Sequence, residues 1–275
     1  GVYNKMEFKF SNRISGVQGS AIREIFKYGN RPEVISLAGG NPAPELFPSK
    51  EFAEILAEIL AKKPTEALQY GVTEGYAPLR EYVKKFIAER ENIGRDFDET
   101  IIVSGGQQGI DLATKVLVNE GDAVIVEEPS FIGALNAFRA YGAKLVGVPV
   151  KNDGMDIDVL EQKLNETENV KIIYTIPTFQ NPSGVTMSEE KRKKLYALAK
   201  KHGVVIIEDN PYGELTFDGS KVPTIKSGDD EGVVLYSGSF SKILTPGIRV
   251  GYITGHRDLI AKMVIAQQVS EVHTP

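Results

Sequence analysis

Lys242 ends the run Ser237-Gly238-Ser239-Phe240-Ser241-Lys242, and Arg249 follows seven residues later. Upstream, Asp209 closes an apolar run that begins at Val204 and is followed by Pro211-Tyr212. Farther upstream lies Asn181-Pro182-Ser183-Gly184. An isolated lysine is ordinarily a solvated surface group. This one has three serine hydroxyls within five residues of chain and a fixed positive charge nearby. A neighbouring cation favours loss of the lysine proton, and a neutral amine is what attacks an aldehyde.

The other groups complete a chemical set. An isolated aspartate before a proline is most simply a turn residue. At the end of a buried strand it can instead face a cleft and keep a ring nitrogen protonated, while Glu208 points the other way and is structural. Tyr212 and Asn181 can both hydrogen-bond a phenolate oxygen, although Asn-Pro-Ser-Gly is also an ordinary turn. Ser104-Gly105-Gly106-Gln107-Gln108-Gly109 follows a strand and opens a helix running to about Leu117, so its free amides and helix dipole form an anion site, or simply a tight turn. Its spacing is neither that of a Walker loop nor that of G-x-G-x-x-G. Phe131, after Glu128-Pro129-Ser130, can stack on a planar ring or pack in the core. Amine, acid, phenol, amide and a serine–arginine cluster are together what pyridoxal 5′-phosphate requires.

These residues need a frame. Ile- and Val-rich runs recur at Ile101–Val103, Ala123–Val126, Lys144–Val148, Val170–Tyr174, Val204–Ile207 and Val233–Tyr236, with helical segments between most of them. That alternation implies an α/β fold, with a mostly parallel sheet covered by helices on both faces. Such sheets bind ligands at the carboxyl ends of their strands, where Asn181, Asp209 and Ser239 all fall. Ser188 and Gly203 are expected to cap a helix over 189–201. Ahead of the alternating region, a short helix is expected near Ala21–Lys27 and a short strand over Val34–Ala38. Two amphipathic helices follow, with apolar faces made by Phe52, Ile55, Leu56, Ile59 and Leu60, and by Leu79, Tyr82, Val83, Phe86 and Ile87.

Bulk properties exclude other classes. The 275 residues are 41% apolar and 25% charged, as in a globular protein that can bury a sizeable core. A net charge of -5 argues against a nucleic-acid surface. The absence of cysteine removes disulfides, thiolate catalysis and Cys-based zinc sites, and His202, His256 and His273 show no ligand spacing, so no metal is expected. No run reaches membrane-spanning length, and residues 1–6 carry no signal-peptide core, which makes a cytoplasmic location the default expectation.

In this order, the residues resemble the fold-type I pyridoxal-phosphate aminotransferases of class I/II. The likeness is greatest to the aromatic, branched-chain, kynurenine and 2-aminoadipate branch, and runs from Ser36-Leu37-Ala38-Gly39-Gly40 to Arg249-Val250-Gly251-Tyr252. The resemblance implies a seven-stranded large domain over 46–275 and an N-terminal arm and substrate segment over 1–45. The relatives' small C-terminal domain, with its carboxylate-binding arginine, is expected to be missing. It implies ping-pong transfer of an amino group from an amino acid to a 2-oxo acid, with Lys242 carrying the internal aldimine and then moving the proton. Asp209 would pair with the ring nitrogen, Asn181 and Tyr212 with the ring hydroxyl, and Phe131 would stack. Gly106, Gln107, Ser239, Ser241 and Arg249 would form the phosphate cup, and Tyr70 would reach the phosphate of the partner subunit in a homodimer with shared sites. Gly40 and Asn181 would line the substrate carboxylate site. Gly106 stands where relatives often carry serine, and Phe131 where many carry tyrosine. Beta-elimination or decarboxylation on the same cofactor is the first alternative. A ligand-sensing domain of a transcription regulator is the second, and the first 30 residues are too short for the DNA-binding segment it needs.

Overall fold

The computed structural model describes residues 8–15, 17, 31, 33–35 and 39–275. The helix expected near Ala21–Lys27 lies outside them, as does most of the strand expected over Val34–Ala38.

The frame is an eight-stranded sheet, one strand more than the seven expected, in the order β1-β8-β7-β6-β5-β2-β3-β4. Its strands are β1 (Asp98–Val103), β2 (Ala123–Glu128), β3 (Lys144–Lys151), β4 (Gly154–Met155), β5 (Val170–Thr175), β6 (Val205–Asp209), β7 (Val234–Ser239) and β8 (Gly251–His256). The central run β3-β2-β5-β6-β7 is parallel. The six apolar runs seen in the sequence are six of these strands. Two strands carry no such signal. β4 is two residues long, and β8 is interrupted by Gly251 and Gly255 and runs antiparallel to both β7 and β1.

Alternation along each strand divides the core. Ile172, Tyr174, Ile207 and Leu235 face one side, under α5 (Gly106–Leu117), α6 (Ile132–Ala140) and α9 (Arg257–Gln268). Ile173, Ile206 and Val234 face the other, under α7 (Ile157–Glu166) and α8 (Glu189–His202). Each fully buried Leu or Ile contributes about 1.5–3 kcal/mol. Ser188 caps α8 by accepting from the Lys191 amide, and Gly203 ends it at φ +65°, both as expected.

Before β1 stand α1 (Asn12–Ser15), α2 (Ser49–Lys62), α3 (Pro64–Leu68) and α4 (Ala77–Glu91). α4 buries Val83 and Ile87 against Ile102, Tyr236 and Tyr252, but Tyr82 of its expected apolar face is exposed. α2 buries none of its residues; Ile55, Leu56, Ile59 and Leu60 all stay exposed. Its apolar periodicity is real, and nothing among the described residues covers it. No helix among the described residues is long and apolar enough to cross a membrane.

Candidate active site

The site grows from the carboxyl edge of the parallel strands. Asp209 is the last residue of β6 and Ser239 the last of β7, and register places Asp209 opposite Ser237. Asp209 is buried, and its Oδ2 accepts a hydrogen bond from Tyr174 Oη at 2.8 Å. Burial pushes its carboxyl up to about 6, against the pull of Tyr174 and of Ser237 beside it. The Ser237 hydroxyl, though close enough to exert that pull, is buried without a well-formed hydrogen bond.

Gly106 closes over this pair. A Cβ built on it would stand 3.5 Å from Ser237 Oγ and 3.9 Å from Asp209 Oδ1. The first turn of α5 therefore passes close to a buried acid. Two features bring the helix so near. Gly105 sits at φ +83°, a conformation that suits glycine. Gly251 of β8 lies beneath, where a Cβ would come within 3.0 Å of Gly105 C and Gly106 N. Arg249 packs on Gly105, and its guanidinium donates to Ser104 O and Pro246 O, both at 3.3 Å. Its own backbone is left-handed, at φ +54°, an unusual state for arginine that marks a constrained position.

The remaining expected residues join from three sides. Gln107 Nε2 donates to Gly133 O at 2.9 Å, and the Phe131 ring packs beside Gly133. Asn181 Nδ2 donates to Tyr212 Oη at 3.2 Å. Burial raises the Tyr212 phenol, the Asn181 hydrogen bond opposes that, and the Asp209 charge adds to it. Ser239 Oγ accepts from the Ser241 amide at 3.1 Å. Lys242 Nζ donates to Gly40 O at 2.9 Å, so the amine meets the residue expected at the substrate carboxylate. The Lys242 ammonium is held below its ordinary pKa by burial. Burial, and not the Arg249 charge that the sequence suggested, is the cause; the Arg249 guanidinium is engaged by the Ser104 and Pro246 carbonyls. Tyr70 stands apart, 81% exposed, edge-on to His273 at 6.0 Å.

Glu208 is buried on the opposite face and accepts the Ile225 and Lys226 amides at 2.8 and 2.7 Å, as its strand parity implied. Two residues, one in the site and one behind it, escaped the sequence. Tyr174 reads as one more apolar strand residue, and its contact with Asp209 exists only because β5 and β6 lie side by side. Glu127 ends an apolar run, and it is buried with its carboxylate accepting from Thr175 Oγ1, the Ile176 amide and Gln180 Nε2. An acid one residue before the end of β2, ahead of Glu128-Pro129, was the one available signal.

The family model for aminotransferase class I and II matches residues 32–274. The chain is 46% identical to aromatic-amino-acid aminotransferase 1 of Thermococcus litoralis, over 96% of this chain and 64% of that protein. It is 42% identical to 2-aminoadipate transaminase of Thermus thermophilus, over 97% of this chain and 66% of that protein. It superimposes with a TM-score of 0.91 on Pyrococcus horikoshii kynurenine aminotransferase, solved in complex with PMP, at 43% identity over 96% of this chain and 66% of that one. The chain thus spans about two thirds of the length of the curated relatives it matches. With a family model matched over most of its length and relatives at 42–46% identity, and with the acid, phenol, amide and glycine loop at one sheet edge, this chain belongs to the aminotransferase class I and II family.

Proposed function

We propose that residues 46–275 are the cofactor-binding domain of a pyridoxal 5′-phosphate-dependent aminotransferase, with residues 1–45 as an arm and substrate segment. The observation that carries this is the buried Asp209 carboxylate lying under the N-terminus of α5. The orphaned Ser237 hydroxyl and the Asp209 carboxylate beside it fit the polar edge of a ring set against them. When bound, the cofactor supplies an aldehyde for amines and a ring that takes up electron density from the substrate α carbon.

The chain's own residues do the rest. The Gly106 and Gln107 amides, the Ser239 and Ser241 hydroxyls and the Arg249 guanidinium would hold the phosphate. The Asp209 carboxylate, ionised at neutral pH, would keep the ring nitrogen protonated, and that cation would in turn hold Asp209 ionised. Asn181 Nδ2 and Tyr212 Oη would hold the ring oxygen, and Phe131 would flank the ring. Lys242 Nζ gives up its proton more readily because it is partly buried, and the free amine can then take a proton at the substrate α carbon.

The substrates would be an amino acid and a 2-oxo acid, in line with the names of the relatives. A homodimer with shared sites rests on Tyr70, which lines a groove of ≈ 1250 Å³ with Ile55 and Ile59 of α2. The decisive experiment compares wild type with Lys242→Ala in the full-length protein. The variant is expected to lose both the absorbance band of cofactor joined to the lysine and transamination from a panel of amino donors to 2-oxoglutarate. Turnover retained by Lys242→Ala would refute the reading.

A further inference from the structure

Glu127 lies on the face of the sheet opposite Asp209, at the end of β2. Its side chain is a junction. Oε1 accepts from Thr175 Oγ1 at 2.8 Å, and Oε2 accepts from the Ile176 amide at 3.0 Å and from Gln180 Nε2 at 3.2 Å. Gln180, equally buried, sends its Nε2 to Pro129 O at 2.8 Å as well, while its Oε1 accepts from the Ser183 amide at 2.8 Å. The next residue is Asn181, whose Nδ2 meets Tyr212 Oη. One buried carboxylate thus ties the end of β5 and the turn carrying Asn181 to the end of β2. A buried acid at such a junction is costly to desolvate and needs its donors.

We propose that Glu127 is a positioning residue, which through Gln180 fixes the 181–184 turn where Asn181 reaches the Tyr212 phenol. The inference concerns Asn181's placement and rests, for its bearing on the cofactor, on the function proposed above. Burial pushes the Glu127 carboxyl up to about 7, and its three donors oppose that shift. The junction works in either protonation state that keeps those contacts. Glu127→Gln can keep them all, because the Thr175 hydroxyl can turn to accept from the new amide while the Gln oxygen accepts from Ile176 and Gln180. Glu127→Ala keeps none.

The test has two arms. In the cofactor-free protein, amide hydrogen exchange is followed at Ile176 and Ser183. Glu127→Ala is expected to speed both by about tenfold or more while buried amides of β6 are unchanged, and Glu127→Gln to leave them within about threefold. Wild-type exchange at both amides in Glu127→Ala would overturn the proposal, whatever the cofactor does. In the second arm, pyridoxal 5′-phosphate is titrated by visible absorbance into wild type, Glu127→Ala, Asn181→Ala and the double variant. Because Glu127 acts through Asn181, its removal is expected to weaken binding about tenfold in wild type and to add little once Asn181 is gone. An equal loss in both backgrounds would reduce Glu127 to a purely structural acid and overturn the proposal. Should Glu127→Ala fail to fold, Gln180→Met cuts the same link: the Ile176 amide keeps its carboxylate acceptor and should exchange as in wild type, the Ser183 amide should exchange faster, and the titration arm is read in the same way. Failure of the wild type itself to bind the probe would refute the proposed function, and the exchange arm would still decide the role of Glu127.

Discussion

Tyr174 Oη donates to Asp209 Oδ2 at 2.8 Å, across adjacent parallel strands and out of contact with water. The bond occupies one carboxylate oxygen and leaves Oδ1 on the side of Gly106. Burial holds the Tyr174 phenol well above its ordinary pKa, so it stays protonated and can only donate to an ionised partner. Tyr174→Phe should therefore raise the Asp209 carboxyl further above about 6. A hydrogen bond to a charged group contributes about 1.5–3 kcal/mol, so cofactor affinity at neutral pH should fall about tenfold or more. Titration of pyridoxal 5′-phosphate from pH 5 to 8 checks this: the loss should be largest at the acid end, where the variant's acid is protonated.

Three buried carboxyls give stability an unusual pH slope. Glu127 and Glu208 are pushed up to about 7 and Asp209 to about 6, in each case chiefly by burial. An acid whose folded pKa is raised stabilises the fold fully below its unfolded pKa, and that contribution is lost as pH rises through the folded value. These groups should thus lower stability between about pH 4 and pH 7, each by an amount on the order of 3 kcal/mol at most. Glu208→Gln should flatten part of that decline. Urea midpoints at pH 5, 6 and 7.5 measure it, and a variant slope equal to that of wild type would contradict the assignment.

Gly106 and Gly251, in the strand beneath it, should respond in opposite ways. At Gly106 a new Cβ meets Ser237 Oγ at 3.5 Å, an ordinary contact, so Gly106→Ser should change stability by less than about 1 kcal/mol and tighten cofactor binding through its added hydroxyl. At Gly251 a Cβ would press within 3.0 Å on the backbone of Gly105, Gly106 and Gly238. Gly251→Ala should cost about 1–3 kcal/mol and weaken binding by lifting the loop. Thermal unfolding and cofactor titration of the two variants side by side decide the matter.

Tyr70 offers a test of shared sites. If its phenol serves the partner's phosphate, Tyr70→Phe and Lys242→Ala damage different parts of each site. Each variant alone should be impaired, and mixing the two after dissociation should restore part of the activity through one intact hybrid site. No recovery in subunits shown to exchange would argue for sites made within one chain.

The six Ile- and Val-rich runs became strands because continuous apolar stretches can be buried on both faces only in a parallel layer. The polar residues that end three of them mark the rim by residue type alone. β8 stayed hidden because Gly251 and Gly255 break its apolar pattern, and those glycines are there for close approach, which is a tertiary requirement. α2 shows the converse: its periodicity announced a buried face, and periodicity says that a face seeks cover without saying what supplies it.

By itself, then, the sequence determined the chemical inventory, namely Lys242, Asp209, Asn181, Tyr212 and Arg249, together with the strand ends that carry most of it. These are local properties, set by residue type and by the period of burial. Only the folded chain decided which groups meet: Tyr174 with Asp209, Glu127 with Gln180, Lys242 with the Gly40 carbonyl 202 positions away. The order in which strands lie beside one another is a global choice of packing, and the pKa of each buried acid follows from neighbours that this order brings in.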